Sequence, residues 1–177
     1  MKISALLFLI LFGTNSHTIF DFKSNSSINS WTTVDDTVMG GRSDSKFTLD
    51  SNGYGLFEGD ISLKNYGGFC SVRHKFERMS VANFSKIRLK LKGDGKDYQL
   101  RIKDKTSNYY VYQHSFITSG EWQEIELKLS EFYPTFRGRN LDMPNFNKNH
   151  LEELGILIAN KKEEKFRLLI DKIELLQ

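Results

Sequence analysis

The chain has 177 residues, of which 39% are hydrophobic and 27% charged, with a net charge of +3 and one cysteine. These figures exclude a disulfide framework, collagen-like and disordered chains, and nucleic-acid binding by bulk charge. They fit one globular domain, able to bury roughly 70% of its unfolded surface without staples.

The chain opens with Met1-Lys2 and the apolar run Ile3-Ser4-Ala5-Leu6-Leu7-Phe8-Leu9-Ile10-Leu11-Phe12. A bilayer span needs about twenty apolar residues, so this shorter run behind one positive charge reads as a secretory signal. Thr14 and Ser16 offer small or polar residues for cleavage, and the predicted division is a leader over 1–18 and a domain over 19–177. An uncleaved interfacial anchor and a buried element of the domain are the alternatives. A mitochondrial presequence is Arg-rich, whereas Arg42 is the first arginine here. The expected location is therefore periplasmic or secreted, with Cys70 buried as a small hydrophobe.

From Phe20 onward the apolar residues alternate with period two, the mark of strands with one wet face. Strands are predicted at 46–49, 55–63 and 69–75, and then at Lys86-Ile87-Arg88-Leu89-Lys90-Leu91-Lys92. Gly93-Asp94-Gly95 is a turn signal, and Tyr98, Leu100 and Ile102 alternate beyond it, so 86–92 and 98–103 are expected to form a hairpin with a cationic outer face. Further strands are expected at 109–113, 123–129, 155–159 and 166–175. The one helical candidate, 149–154, is about a turn long. Many short strands separated by turn residues predict an all-β, antiparallel two-sheet jelly-roll sandwich.

Chemistry-bearing patterns are sparse. The histidines show no ligand spacing, and zinc, phosphate-loop and dinucleotide motifs are absent from the sequence. Asp35-Asp36 reads as a turn feature rather than a calcium site or a glycosidase pair, because adjacent side chains on a strand diverge. The irregular stretch 130–149 holds both prolines and Phe136-Arg137-Gly138-Arg139. The forks of Arg137 and Arg139 suit a carboxylate or phosphate, or else clamp a neighbouring loop. The basic row Lys86, Arg88, Lys90, Lys92, Arg101 and Lys103 would suit an anionic partner, unless Glu124, Glu126 or Glu174 neutralises it as an ordinary solvated face. Around Trp31, Gly40-Gly41 are expected to take positive φ or admit close backbone, Asp36 to accept loop N–H bonds, and Trp31 and Met39 to wedge the loop onto the core.

The string Ser30-Trp31-Thr32-Thr33-Val34-Asp35-Asp36-Thr37-Val38-Met39-Gly40-Gly41-Arg42-Ser43 resembles the signature of the complex I intermediate-associated protein family, assembly factors of respiratory NADH:ubiquinone oxidoreductase. The blocks from Phe57 to Leu63, from Asn65 through Gly67-Gly68 to Arg73, from Gly93 to Tyr98, from Phe136 to Arg139, and Leu154-Gly155 are similar to that family in the same order. The resemblance implies a galactose-binding-domain-like sandwich, no cofactor, and a non-enzymatic, chaperone-like role with protein partners such as respiratory subunits or assembly intermediates. Peripheral membrane association is compatible with such a role, and no nucleic acid is implied. The second reading is a secreted carbohydrate-binding module using Tyr98, Tyr109, Tyr110, Tyr112 and Trp122. Candidate contact residues are Asp36, Arg42, Arg73, Tyr98, Tyr110, Tyr112, Arg137 and Arg139, and Trp31, Met39, Gly40, Gly41, Ser43, Gly67 and Gly68 are expected to shape the signature loop.

Overall fold

The computed structural model describes residues 16–177. Thirteen strands follow in chain order: β1 Ser16–Asp21, β2 Trp31–Asp35, β3 Asp44–Leu49, β4 Gly55–Ile61, β5 Cys70–Ser80, β6 Lys86–Lys92, β7 Asp97–Lys103, β8 Val111–Ile117, β9 Trp122–Lys128, β10 Tyr133–Phe136, β11 Arg139–Asn140, β12 His150–Ile158 and β13 Glu164–Leu176. One sheet runs β3-β4-β13-β6-β9, with β1 also on β13, and the other runs β11-β10-β8-β7-β12-β5-β2. Every pairing is antiparallel. The all-β two-sheet sandwich expected from the alternation is therefore the fold.

The core lies where the inward sets meet. Ile87, Leu89 and Leu91 of β6 and Leu168, Ile170, Ile173 and Leu175 of β13 face Tyr98, Leu100 and Ile102 of β7 and Leu154, Ile156 and Ile158 of β12. In β13 the buried set changes from even to odd numbers at a register shift between Ile170 and Lys172. That bulge lets one long strand keep a single apolar face while pairing β4 with its first half and β1 with its second.

Two expectations are corrected. Strands β6 and β7 form no hairpin: β6 pairs with β13 and β9, β7 pairs with β12 and β8, and Gly93-Asp94-Gly95 carries the chain between sheets. Asp94 secures that crossing by accepting from the Tyr98 hydroxyl at 3.1 Å and the Arg167 N–H at 2.9 Å. The segment 149–154 is strand rather than helix, and a register shift between Leu151 and Glu153 buries both Leu151 and Leu154 at a spacing that imitates a helical turn. The stretch 130–149 also contains β10 and β11. Pro134 is tolerated there because β11 reaches only Thr135 and Phe136.

The apolar run at 3–12, read as a signal, lies outside the described residues. Ser16, His17 and Thr18 pair with Leu176, Leu175 and Glu174 at the start of β1.

Candidate functional site

The signature loop is built around one buried carboxylate. Strand β2 belongs to the seven-stranded sheet and β3 to the six-stranded one, so the segment between them must cross the sandwich. It does so through a single 3-10 turn, Asp36–Met39. Asp36 is fully buried. Its Oδ1 accepts the Ser43 N–H at 2.9 Å, and its Oδ2 accepts the Ser43 hydroxyl and the N–H groups of Gly68 and Phe69. Burial works to raise its pKa, but the Ser43 hydroxyl and the three backbone N–H groups outweigh that and hold the carboxyl below its ordinary range. Asp35 makes a second brace, accepting the Ser45 N–H at 2.9 Å and the Ser45 hydroxyl at 2.6 Å. The acid pair is thus a clamp between β2 and β3.

The signature glycines divide by cause. Gly40 has φ +88° and Gly68 +130°, conformations that disfavour a side chain. Gly41 and Gly67 serve by closeness: a Cβ on Gly41 would lie 2.2 Å from Asp36 Oδ1, and one on Gly67 would lie 2.4 Å from Asp36 Oδ2. Trp31 seats the strand end as expected, stacked on His74 with centroids 4.7 Å apart and edge-on to Phe20. Met39 does not wedge into the core. It is 61% exposed beside Val38 at 69%, because the saturated carboxylate already fixes the turn beneath them. A second 3-10 turn, Lys64–Tyr66, comes alongside, and Asn65 Nδ2 donates to the Gly40 carbonyl at 3.0 Å. Asn65 and Tyr66 both hold left-handed φ, 56° and 59°, and Tyr66 is fully exposed. Leu63 and the exposed Arg42 complete the corner.

The other candidates scatter. Tyr98 and Tyr112 are each 1% exposed, so neither ring is open to stack on a sugar; both point inward as core. Tyr110 is half-buried, edge-on to both Tyr109 and Tyr112. Arg137 and Gly138, at φ 49° and 74°, form the two-residue turn of the β10–β11 hairpin. There Arg137 lies over the Phe136 ring at 5.2 Å, and Arg139 is exposed. Trp122 sits on the other sheet against Tyr54.

The basic row also divides. Lys86 pairs with Glu126 at 2.8 Å, Arg88 with Glu174 and Glu124, Lys90 with Asp171 at 2.8 Å, and Lys92 with Glu121 at 3.9 Å. The six-stranded face is thereby neutralised. Arg101 and Lys103 lie instead on the outer face of the seven-stranded sheet, in a row missed by reading the sequence. Register places Thr32, Arg73, Gly155, Arg101, Gln113 and Tyr133 side by side across six strands. Only the alternation of Arg101 against buried Leu100 and Ile102 hinted at it. Burial, and then the neighbouring charge of Arg73, lower the Arg101 pKa to about 10.

The family model described as complex I intermediate-associated protein 30 matches residues 20–170. The chain belongs to this family. Its relatives include the complex I intermediate-associated protein 30, mitochondrial, of Drosophila melanogaster, 26% identical over 89% of this chain and 62% of that one. The Mus musculus protein of the same name is 24% identical over 88% of this chain and 54% of its own. An uncharacterised protein of Schizosaccharomyces pombe is 31% identical over 79% of this chain and 74% of that one. The chain thus spans little more than half the length of the two mitochondrial relatives. In structure, this family member is similar to the family 11 carbohydrate-binding module of Clostridium thermocellum, solved with a mixed-linked tetrasaccharide. The TM-score is 0.64 at 18% identity, covering 90% of this chain and 94% of the module. An agarase matches through 24% of its length, with a TM-score of 0.62 at 11% identity. At such identities the likeness is one of fold.

Proposed function

We propose that this protein is a non-catalytic binding module that docks a protein partner at the signature corner, acting as an assembly or chaperone-like factor for respiratory-complex intermediates. The observation that carries this reading is the corner itself. Val38, Met39, Leu63 and Tyr66 stand exposed on two turns held rigid by Asp36, and Tyr66 is kept outward by a strained backbone. Left-handed φ at a non-glycine residue costs on the order of 1–3 kcal/mol and persists where the surroundings enforce it. Exposed apolar side chains on a preorganised scaffold lose little entropy when a partner covers them. The assembly-factor names of the mitochondrial relatives supply the class of partner. Export under a leader at 1–18, with the partner met outside the cytoplasmic membrane, belongs to the same proposal, and cleavage there would take Ser16, His17 and Thr18 from the start of β1.

The test is affinity purification with crosslinking from the native membrane fraction, comparing the parent with Met39→Asp and Tyr66→Asp. Respiratory subunits recovered by the parent and lost by both variants would support the reading. Equal recovery by all three, or none by the parent, would remove it. The sandwich likeness keeps carbohydrate binding as a second reading. Burial of Tyr98 and Tyr112 weakens it, and a glycan array tests it directly.

A further inference from the structure

The outer face of the seven-stranded sheet has a chemistry distinct from the corner. Its central row places Arg73 and Arg101 on either side of Gly155, which contributes no side chain between them. The glycine is required by closeness, since a Cβ there would lie 2.9 Å from the Val72 carbonyl and 3.3 Å from Arg73 Cγ. The resulting cleft, lined by Arg73, Arg101, Lys103, Ser71, Glu153 and Leu157 among others, measures about 20 Å³. That is room for one small polar group and too little for a sugar ring.

Charge on this face is left open. Every cation of the opposite face's basic row has a carboxylate partner, whereas among the described residues Arg73, Lys75, Arg101 and Lys103 form no ion pair. Glu153 is the carboxylate nearest the row, placed by register between Lys75 and Lys103. Arg101 is fixed in place: its Nη2 donates to Gln99 Oε1 at 2.9 Å, while its buried Nε–H has no acceptor. Along the row, Gln113 is saturated, donating to the Tyr133 hydroxyl at 3.0 Å and accepting from Thr135 at 3.0 Å. The phenolic proton of Tyr133 is thereby turned away from Gln113. On either side of Gly155 the row presents two guanidinium forks, and Glu153 is the carboxylate that lines their cleft. One carboxylate, Glu153, faces the four cations Arg73, Lys75, Arg101 and Lys103, so the excess positive charge and the orphaned Nε–H of Arg101 favour an added anion.

We propose that Arg73 and Arg101, parted by Gly155, form the seat of one oxyanion, a carboxylate or phosphate borne by a small polar ligand. Guanidinium forks bind both groups through paired charge-assisted hydrogen bonds. The site is independent of the signature corner, and Val38→Asp should leave it intact.

The experiment titrates the full chain separately with sodium acetate and inorganic phosphate, at constant ionic strength against chloride, following the side-chain Nε–H resonances of arginine by NMR. The Arg101 signal should move saturably in the millimolar range with at least one probe, which identifies the source of the oxyanion. Arg101→Gln and Arg73→Gln should each weaken binding by roughly tenfold or more, and Lys90→Gln on the opposite sheet should not. If neither probe moves the Arg101 resonance, or if both arginine variants bind as the parent does, the proposal is wrong.

Discussion

Removing the Asp36 carboxylate is the sharpest test of the clamp between the sheets. In Asp36→Ala the Ser43 hydroxyl can turn to the Ser62 carbonyl, 3.3 Å away, but the N–H groups of Ser43, Gly68 and Phe69 lose their acceptor. Each buried donor left unpaired costs about 1–3 kcal/mol, and water entering the loop recovers part of it, so the expected loss is about 4 kcal/mol. For a chain of this size that lowers Tm by roughly 8–16 °C. Urea denaturation followed by tryptophan fluorescence gives the free energy directly. The pH dependence carries a sign. Because the folded carboxyl sits below its ordinary 3.8, its contribution is complete above that range and disappears as pH falls through the folded-state value. Asp36→Asn should therefore differ from the parent at neutral pH and converge on it in acid. Gly41→Ala, which forces a Cβ to 2.2 Å from Oδ1, should cost more than Gly40→Ala, where the space is open and only φ +88° is penalised, at about 1–2 kcal/mol. An Asp36→Ala protein within about 1 kcal/mol of the parent, or a Gly41→Ala no worse than Gly40→Ala, would refute the clamp.

Other outcomes follow from buried titratable groups. Burial pushes the His74 imidazole below its ordinary 6.5, so stability should be full above that pH and fall as pH drops below it toward the folded-state value. His74→Phe, which keeps the stack on Trp31, should flatten that slope in thermal melts, and an unchanged slope would assign it elsewhere. The Cys70 thiol is fully buried and its pKa is raised by burial, so alkylation at pH 8 should wait on unfolding. Rapid labelling of the native protein would contradict its place in the core.

The strands were legible because burial on one face writes itself as alternation, as in Ile87, Leu89 and Leu91 against Lys86, Arg88, Lys90 and Lys92. Their partners were not legible, because alternation says that one side is covered and nothing about which sheet covers it. That is why β6 and β7 look like a hairpin, and why Arg101 and Lys103 look like neighbours of Arg88. The bulge beside Leu151 hid a strand by breaking its period. At the signature, Asp36 was legible as an acceptor of loop N–H bonds. The outward turn of Met39 was not, since it depends on donors arriving from Gly68 and Phe69, some thirty residues away. The donor row through Gly155 exists only once six strands are in register.

Strand β13 is the middle of its sheet yet follows every other strand among the described residues, and β1, β4 and β6 all rest on it. While synthesis proceeds, those three have no common neighbour to join, and their edges stay open until β13 leaves the ribosome. Closure of the sandwich is therefore a late, long-range event, and a nascent chain stalled before Glu164 would present unpaired strands to whatever chaperone stands at the exit.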